Sequence, residues 1–191
     1  TGERPLRDTP PHKPPIALPA AHVARVAPGD GPLHTPGWRM LEDHDLDLLA
    51  ERLTRDRPRP IPVFAYGSLI WNPGFDPAER VLARAQGWHR SFCMRSLHHR
   101  GTPERPGLVL ALDAAPVAAC AGLAFAVRRG QEDPVLDALR ERELVSAAYL
   151  EQQLDIQLAD GRQVQALTYV IDPGHVQYCG GLDLEEQARI I

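Results

Sequence analysis

The stretch that most constrains the fold of this chain is residues 61–75, which read IPVFAYGSLIWNPGF. Its apolar run at residues 63–66 has the length and the β-branched and aromatic content of a buried strand. Gly67-Ser68 interrupts that strand, and Asn72-Pro73-Gly74 makes a turn after a second apolar run at residues 69–71. Glycine at the break permits positive φ and close approach of a ligand, and successive N–H groups in such a bend can bind an anion. The stretch therefore predicts a buried strand that runs into a tight turn, which either only connects two elements or holds a ligand.

The region before that stretch has a different composition. Of the 19 prolines, 12 lie within residues 1–62, and proline at this density excludes regular helix and favours an extended arm. Residues 40–53 are the exception, because leucines recur there at helical spacing opposite polar residues. We therefore expect a proline-rich N-terminal extension over residues 1–60 with one short helix, followed by a domain over residues 61–191.

Downstream of residue 75 the sequence alternates short apolar runs with turn-forming residues, a pattern typical of β-structure. Residues 97–107 contain many turn formers and no apolar period, so they predict a loop. Asp160-Gly161 predicts a hairpin turn. The predicted strands are residues 80–84, 88–96, 108–112, 120–127, 154–158 and 164–171, with a turn at Gln86-Gly87 between the first two.

Two helices are predicted among these strands. Asp133-Pro134 has the residue types of an N-cap and a first helical position, which predicts a helix from there to about residue 144. Asp183 and Glu186 have the spacing of a capping box, which predicts a final helix. About six strands with two helices and no βαβ alternation indicate an α+β fold, and we expect a small mixed β-barrel, closed or half-closed.

Charge, hydropathy and cysteine spacing argue against several kinds of partner and site. The formal net charge is −4 and no basic run occurs, so no nucleic-acid partner is expected. No stretch approaches about 18 consecutive apolar residues, so no membrane-spanning helix is expected. Cys93, Cys120 and Cys179 are widely spaced, which argues against a disulfide framework and fits a reducing cytoplasm. His98-His99 and Cys93 match no standard zinc spacing, so no metal is expected.

One carboxylate on the predicted helix needs an explanation. Glu143 lies four residues after Leu139 and seven after Leu136, so it shares their apolar face. A carboxylate among leucines is unfavourable unless it is paired or functional. The residues alone leave both interpretations open: either the helix frays there or Glu143 pairs with Arg140 or Arg142, or the carboxylate takes part in chemistry.

Four ordered motifs resemble the ChaC family of γ-glutamylcyclotransferases. They are F-x-Y-G-S-L-I-W-N-P-x-F at 64–75, G-W-x-R-x-F at 87–92, R-G-T-P-E-x-P-G-L at 100–108 and R-E-L-x-x-x-x-Y at 142–149, with a last Q-Y-x-G element at 177–180. The resemblance covers residues 61–191. It implies the family's γ-glutamylcyclotransferase fold and its cleavage of glutathione to 5-oxoproline and Cys-Gly, with no cofactor. Family members extend beyond the last element, so the C-terminal end of the domain over residues 61–191 is expected to be truncated, and the sequence does not indicate whether the native chain continues past Ile191.

The resemblance also implies a role for particular residues. Glu143 would be the general base, and Tyr149 and Tyr178 would line the pocket. The bend would hold the γ-glutamyl α-carboxylate and the reacting carbonyl, and its residues are Ala65, Tyr66, Gly67, Ser68, Leu69 and Ile70. Ala65 stands where the family usually has glycine. Three alternatives stay open: action on glutathione, action on other γ-glutamyl amino acids or amines, or binding of a γ-glutamyl group without turnover. The sequence indicates no oligomeric state.

Overall fold

The computed structural model describes residues 62–97 and 100–191, and the helix expected within residues 40–53 lies outside this range. In the described part, five strands close into a barrel in the order β1-β3-β2-β4-β5. The strands are β1 (Pro62–Ala65), β2 (Glu79–Ser96), β3 (Gly107–Ala126), β4 (Tyr149–Leu158) and β5 (Gln163–Ile171). The helices are α1 (Glu132–Glu143) and α2 (Leu184–Ile190), and a 3-10 turn covers Ser68–Ile70. The predicted α+β fold with a small mixed barrel is confirmed.

The two longest strands, β2 and β3, pair as one antiparallel ribbon, so the prediction that each consists of two shorter strands is wrong. The register shifts where Gln86 pairs with Ala119 and Trp88 pairs with Ala114. Between those pairs Gly87 has φ +79°, a conformation that glycine adopts readily at a bulge. The turn-forming residues therefore deform the strand and do not end it, because pairing to β3 continues on both sides.

Strand β1 closes the barrel by pairing antiparallel with β3 and parallel with β5, the latter through Val63 and Leu167. Its side chains alternate between two packed layers. Phe64 belongs to an apolar cluster with residues from all five strands, which forms the barrel interior. Val63 and Ala65 point to the other face and pack with residues of α1.

A glycine on β3 permits this close crossing of β1. A Cβ atom on Gly122 would lie 2.3 Å from the carbonyl oxygen of Ala65 and 2.8 Å from the ring of Phe64. Any larger residue would therefore push β1, and the bend that follows it, away from the barrel.

Helix α1 covers the outer face of the barrel through Leu136, which packs on Leu167, and through Leu139. Its N-cap is Gln131, so the prediction that Asp133 is the N-cap is wrong. At the start of the helix, the N–H of Gly130 donates to Glu132 Oε2 at 2.6 Å. Asp133 lies in the first turn, where a negative charge is favourable beside the helix N-terminus.

Two turn and cap predictions are confirmed. Gly161 has φ +89° in the turn between β4 and β5, as the Asp160-Gly161 signal indicates. At α2 the Asp183 side chain accepts from the Glu186 N–H, and the Glu186 side chain accepts from the Asp183 N–H, which makes the predicted capping box. Among the helices of the described residues, none is long and apolar enough to cross a membrane.

Candidate active site

A cavity of about 260 Å³ lies where the bend after β1, the end of α1 and the ends of several strands meet. Its volume is close to the lower end of the range of small-molecule sites, which is about 300–1,000 Å³. The lining residues come from parts of the chain that are distant in sequence. They are Tyr66, Gly67, Ser68, Leu69, Trp71, Phe92, Arg100, Leu108, Val109, Leu110, Glu143, Tyr149 and Tyr169.

The cavity brings together most of the residues that the sequence predicted for a site: Tyr66, Gly67, Ser68, Leu69, Glu143 and Tyr149. Three predicted residues are not part of its lining. Ala65 is fully buried among residues that contact α1, and Ile70 packs against the same cluster. Tyr178 donates a hydrogen bond to Asp113 Oδ2 at 2.9 Å, and this bond is the main cause that raises the pKa of Tyr178 to about 12.

The bend is built by the 3-10 turn that follows Gly67. The Ile70 N–H donates to the Gly67 carbonyl at 2.9 Å and is the first donor of the turn, so the N–H groups of Ser68 and Leu69 are not used within it. Gly67 has φ −134°, so it does not use the positive φ that glycine permits. A Cβ atom at Gly67 would meet nothing within 4 Å. The glycine therefore leaves open space beside the cavity.

Glu143 is the last residue of α1, and its side chain is 16% exposed. Its Oε1 atom is buried and accepts no hydrogen bond from any described residue. Arg142 Nε lies 3.1 Å from Oε1, but its N–H does not have hydrogen-bond geometry toward that oxygen. Burial raises the pKa of Glu143, and the charge of Arg142 lowers it by less. The C-terminal end of a helix also disfavours a negative charge, so the carboxylate is more basic than an exposed one.

Arg142 connects the end of α1 to the bend. Its Nη1 donates to the carbonyl of Asn72 at 2.6 Å, and its Nη2 donates to Ser68 Oγ at 3.0 Å. One guanidinium therefore contacts the bend and the Glu143 carboxylate. We infer that Arg142 fixes the spacing between these two parts of the cavity wall.

Three tyrosines complete this side of the cavity. The Tyr66 hydroxyl donates to the backbone carbonyl of Tyr169 at 2.8 Å, and burial raises the pKa of Tyr66. Burial is also the main cause that raises the pKa of Tyr149; the charge of Glu143 adds to it, and a hydrogen bond with Tyr66 acts in the opposite direction. All three hydroxyls stay neutral at physiological pH, because burial also raises the pKa of Tyr169. Tyr66 and Tyr169 already use their O–H donors, toward the Tyr169 carbonyl and Glu151 Oε2, so Tyr149 is the one of the three whose hydroxyl can donate to a ligand.

Sequence reasoning did not assign several of the lining residues. Phe92, Arg100 and Leu108 lie within the motifs at 87–92 and 100–108, so the motifs were the signal that could have found them. Tyr169 lies in no motif, and only the pairing of β4 with β5 places it beside the cavity. Within residues 62–97 and 100–191, no group of three or more His, Cys, Asp and Glu side chains is suited to hold a metal ion; His98 and His99 are outside those residues.

Comparisons with known proteins identify relatives of this chain. The sequence profile of ChaC-like proteins matches residues 61–191. The chain is 34% identical over 137 residues to a glutathione-specific gamma-glutamylcyclotransferase of Escherichia coli (strain K12), which covers 72% of this chain and 58% of that protein. It is 35% identical over 136 residues to gamma-glutamylcyclotransferase 2-1 of Arabidopsis thaliana, which covers 68% of this chain and 63% of that protein. The matched part is thus under two thirds of the length of either relative.

A solved structure supports the fold. The crystal structure of a yeast gamma-glutamyl cyclotransferase specific to glutathione superposes with a TM-score of 0.61. The sequence identity is 21%, and the superposition covers 69% of this chain and 77% of that one. At this level of identity the likeness shows a common fold.

Proposed function

This chain belongs to the family of ChaC-like proteins, and on that premise we propose that it is a glutathione-specific γ-glutamylcyclotransferase, a lyase that converts glutathione to 5-oxoproline and Cys-Gly. The observation that carries the proposal is the buried Oε1 of Glu143, which has no hydrogen-bond partner among the described residues and lies in a cavity wall. The name of the bacterial relative supports the same activity, and the name of the plant relative supports γ-glutamylcyclotransferase activity.

The reaction is an internal attack. The α-amine of the γ-glutamyl group forms a bond to its own γ-carbonyl carbon, and the amide bond from that carbon to the cysteine nitrogen breaks. Both reacting groups belong to one molecule, so the enzyme's first task is to hold a folded conformer. The reaction consumes no water and needs no redox step.

Proton transfer is the step for which Glu143 is suited. A free α-amine has a pKa of about 8, so at neutral pH most of it is protonated and cannot attack. Glu143 takes that proton, and its raised pKa makes it a better base than an exposed glutamate. The same carboxyl group then gives the proton to the leaving cysteine nitrogen. The attacking nitrogen loses a second proton as it becomes the lactam N–H, and that proton passes through the carboxylate to the released amine, which restores the enzyme.

The bend supplies the donors that the substrate needs. The N–H groups of Ser68 and Leu69 are not used within the 3-10 turn, and such donors stabilise the negative charge that develops on the γ-carbonyl oxygen. Arg142 holds the bend next to Glu143 through its bonds to Ser68 Oγ and to the carbonyl of Asn72. The base and the oxyanion donors are thereby kept in one arrangement.

The compartment proposed for this activity is the cytoplasm. All three cysteines, Cys93, Cys120 and Cys179, are free and buried, which agrees with a reducing environment.

The experiment that tests the proposed function is incubation of the protein with glutathione, followed by mass spectrometry. We expect 5-oxoproline and Cys-Gly in equal amounts. The variant Glu143→Gln should release little 5-oxoproline. Its matched control is Glu141→Gln, because Glu141 is exposed on the same turn of α1 and its replacement should leave the rate within about twofold. Parallel incubations with γ-glutamyl amino acids and γ-glutamylamines test the second alternative. Binding of 5-oxoproline without any turnover would support the non-catalytic alternative and contradict the proposal.

A further inference from the structure

The cavity contains a cation that the proposed chemistry does not use. Among the lining residues that the structure describes, Glu143 is the acidic side chain and Arg100 is the basic one. The remainder of the wall near Arg100 is apolar, since β2 and β3 contribute Phe92 and residues 108–110 there. Arg100 is exposed to solvent at the edge of this cavity, where the planar guanidinium of an arginine can bind a carboxylate.

The backbone of Arg100 is held by close packing at the base of the loop between β2 and β3. The Arg100 N–H donates to Ser96 Oγ at 2.9 Å. A Cβ atom on Gly107 would lie 1.8 Å from the carbonyl oxygen of Arg100, and one on Gly101 would lie 2.1 Å from the Gly107 backbone nitrogen. Only glycine fits these two positions. The two ends of the loop are therefore in close backbone contact, and this contact fixes the position of the Arg100 backbone.

The guanidinium of Arg100 is available for a ligand. Within residues 62–97 and 100–191 it has no ion pair and no hydrogen-bond partner. Arg142, which also lies beside the cavity, differs because its guanidinium contacts Ser68, Asn72 and Glu143. Arg90 is also engaged, since its Nη1 donates to the carbonyl of Tyr66. A free guanidinium can bind a carboxylate through two parallel hydrogen bonds, which are stronger than bonds between neutral groups.

We propose that Arg100 binds the terminal carboxylate of the leaving dipeptide, and that it thereby makes the site selective for γ-glutamyl peptides over γ-glutamylamines. This inference rests on the proposed function. Glutathione carries one carboxylate and the ammonium on its γ-glutamyl end, which the bend and Glu143 receive, and a second carboxylate on glycine. The extended Cys-Gly part spans at most about 7 Å, so its carboxylate stays close to the cavity that holds the γ-glutamyl end. Among the lining residues that the structure describes, Arg100 is the one with a cationic side chain.

The test compares two substrates that differ in this carboxylate alone: glutathione and its analogue with a glycinamide end. We expect the wild-type protein to prefer glutathione at least tenfold in kcat/KM. Arg100→Gln should lower kcat/KM for glutathione at least tenfold more than for the glycinamide, chiefly through KM. Arg105→Gln is the matched control, because Arg105 is exposed in the same loop and does not line the cavity; it should keep the preference. Thermal melting of each variant checks that it is folded.

The outcomes separate this inference from the proposed function. Equal kcat/KM of the wild-type protein for the two substrates would overturn the role of Arg100 and leave the cyclotransferase activity standing, and this result needs no variant. A preference that persists in folded Arg100→Gln would also overturn it. If the wild-type protein releases 5-oxoproline from neither substrate, the proposed function itself is wrong.

Discussion

Two glutamates with buried carboxylate oxygens, Glu143 at the end of α1 and Glu151 on β4, lie in different surroundings. Glu151 on β4 is fully buried, and both its oxygens are bonded to Arg140, at 2.9 Å and 3.2 Å. The Tyr169 hydroxyl also donates to it at 3.3 Å. Glu143, at the end of α1, has a buried oxygen with no hydrogen-bond partner in the described part of the chain, and it faces a cavity.

The hydrogen bonds of a buried carboxylate indicate whether it stabilises the fold or is available for chemistry. A buried carboxylate with all its acceptor sites occupied joins α1 to the barrel, since Arg140 belongs to the helix and Glu151 to β4. A buried carboxylate with an unused oxygen is unfavourable for stability. The fold retains it at the wall of a cavity, where a substrate proton can satisfy it. We therefore expect changes at Glu151 to affect stability and changes at Glu143 to affect turnover.

The largest expected effect is a loss of stability when Glu151 is changed. Glu151→Gln leaves the Arg140 guanidinium buried without its counter-charge, and breaking one partner of a buried pair costs about 3–5 kcal/mol. Urea unfolding should show a loss of this size in the free energy of unfolding. A double variant, Arg140→Met with Glu151→Leu, should recover most of it, because no charge then stays buried. A loss below about 1 kcal/mol in Glu151→Gln would remove the distinction between the two glutamates.

A smaller effect is expected from a change in the cavity wall. A Cβ atom at Gly67 would meet nothing within 4 Å, so Gly67→Val should fold, while its side chain takes up space beside the cavity. We expect affinity for 5-oxoproline to fall at least tenfold, about 1.4 kcal/mol, which isothermal titration calorimetry can measure. Unchanged affinity would show that the bend does not hold the γ-glutamyl group.

The smallest expected effect is on the stability of Glu143→Gln. Because burial raises the pKa of Glu143 in the folded state, its protonated form favours folding. That contribution is complete below the unfolded-state pKa of about 4.3 and is lost as pH rises through the raised folded-state pKa. At pH 7 the glutamine variant should melt about 2–4 °C above wild type, roughly 1 kcal/mol.

Thermal melting from pH 7 down to pH 4 measures this effect, and the gap between variant and wild type should narrow toward the acid end. A variant that melts below wild type at pH 7 would show that Glu143 is a structural partner of Arg142.

The sequence predicted those parts of the fold that local chemistry controls. The capping box at Asp183 and the turn at Asp160-Gly161 depend on residues next to each other, and both are confirmed. Gln86-Gly87 has similar turn chemistry, but there the ribbon of β2 and β3 continues. Pairing between distant residues outweighs local preference at that point, and the sequence alone does not contain that information.

In the candidate site, too, the sequence predicted what local patterns control and not what depends on contacts between distant residues. Helical spacing placed Glu143 on the face of Leu136 and Leu139, and all three are buried or nearly so. The resemblance to a family indicated the bend, which does line the cavity. The absence of a hydrogen bond to Glu143 Oε1 within the described residues and the place of Arg100 depend on contacts between distant segments, so only the structure reveals them.

The most direct test of the general-base role is the kcat of Glu143→Gln with glutathione. Glutamine keeps the shape of the side chain but cannot take a proton at neutral pH, so kcat should fall about 10²- to 10⁴-fold, equivalent to about 3–5 kcal/mol, with KM nearly unchanged. A higher pH should restore part of the rate, because more of the substrate amine is then deprotonated. Turnover at the wild-type rate by a folded Glu143→Gln protein would contradict the assignment of this carboxylate as the base.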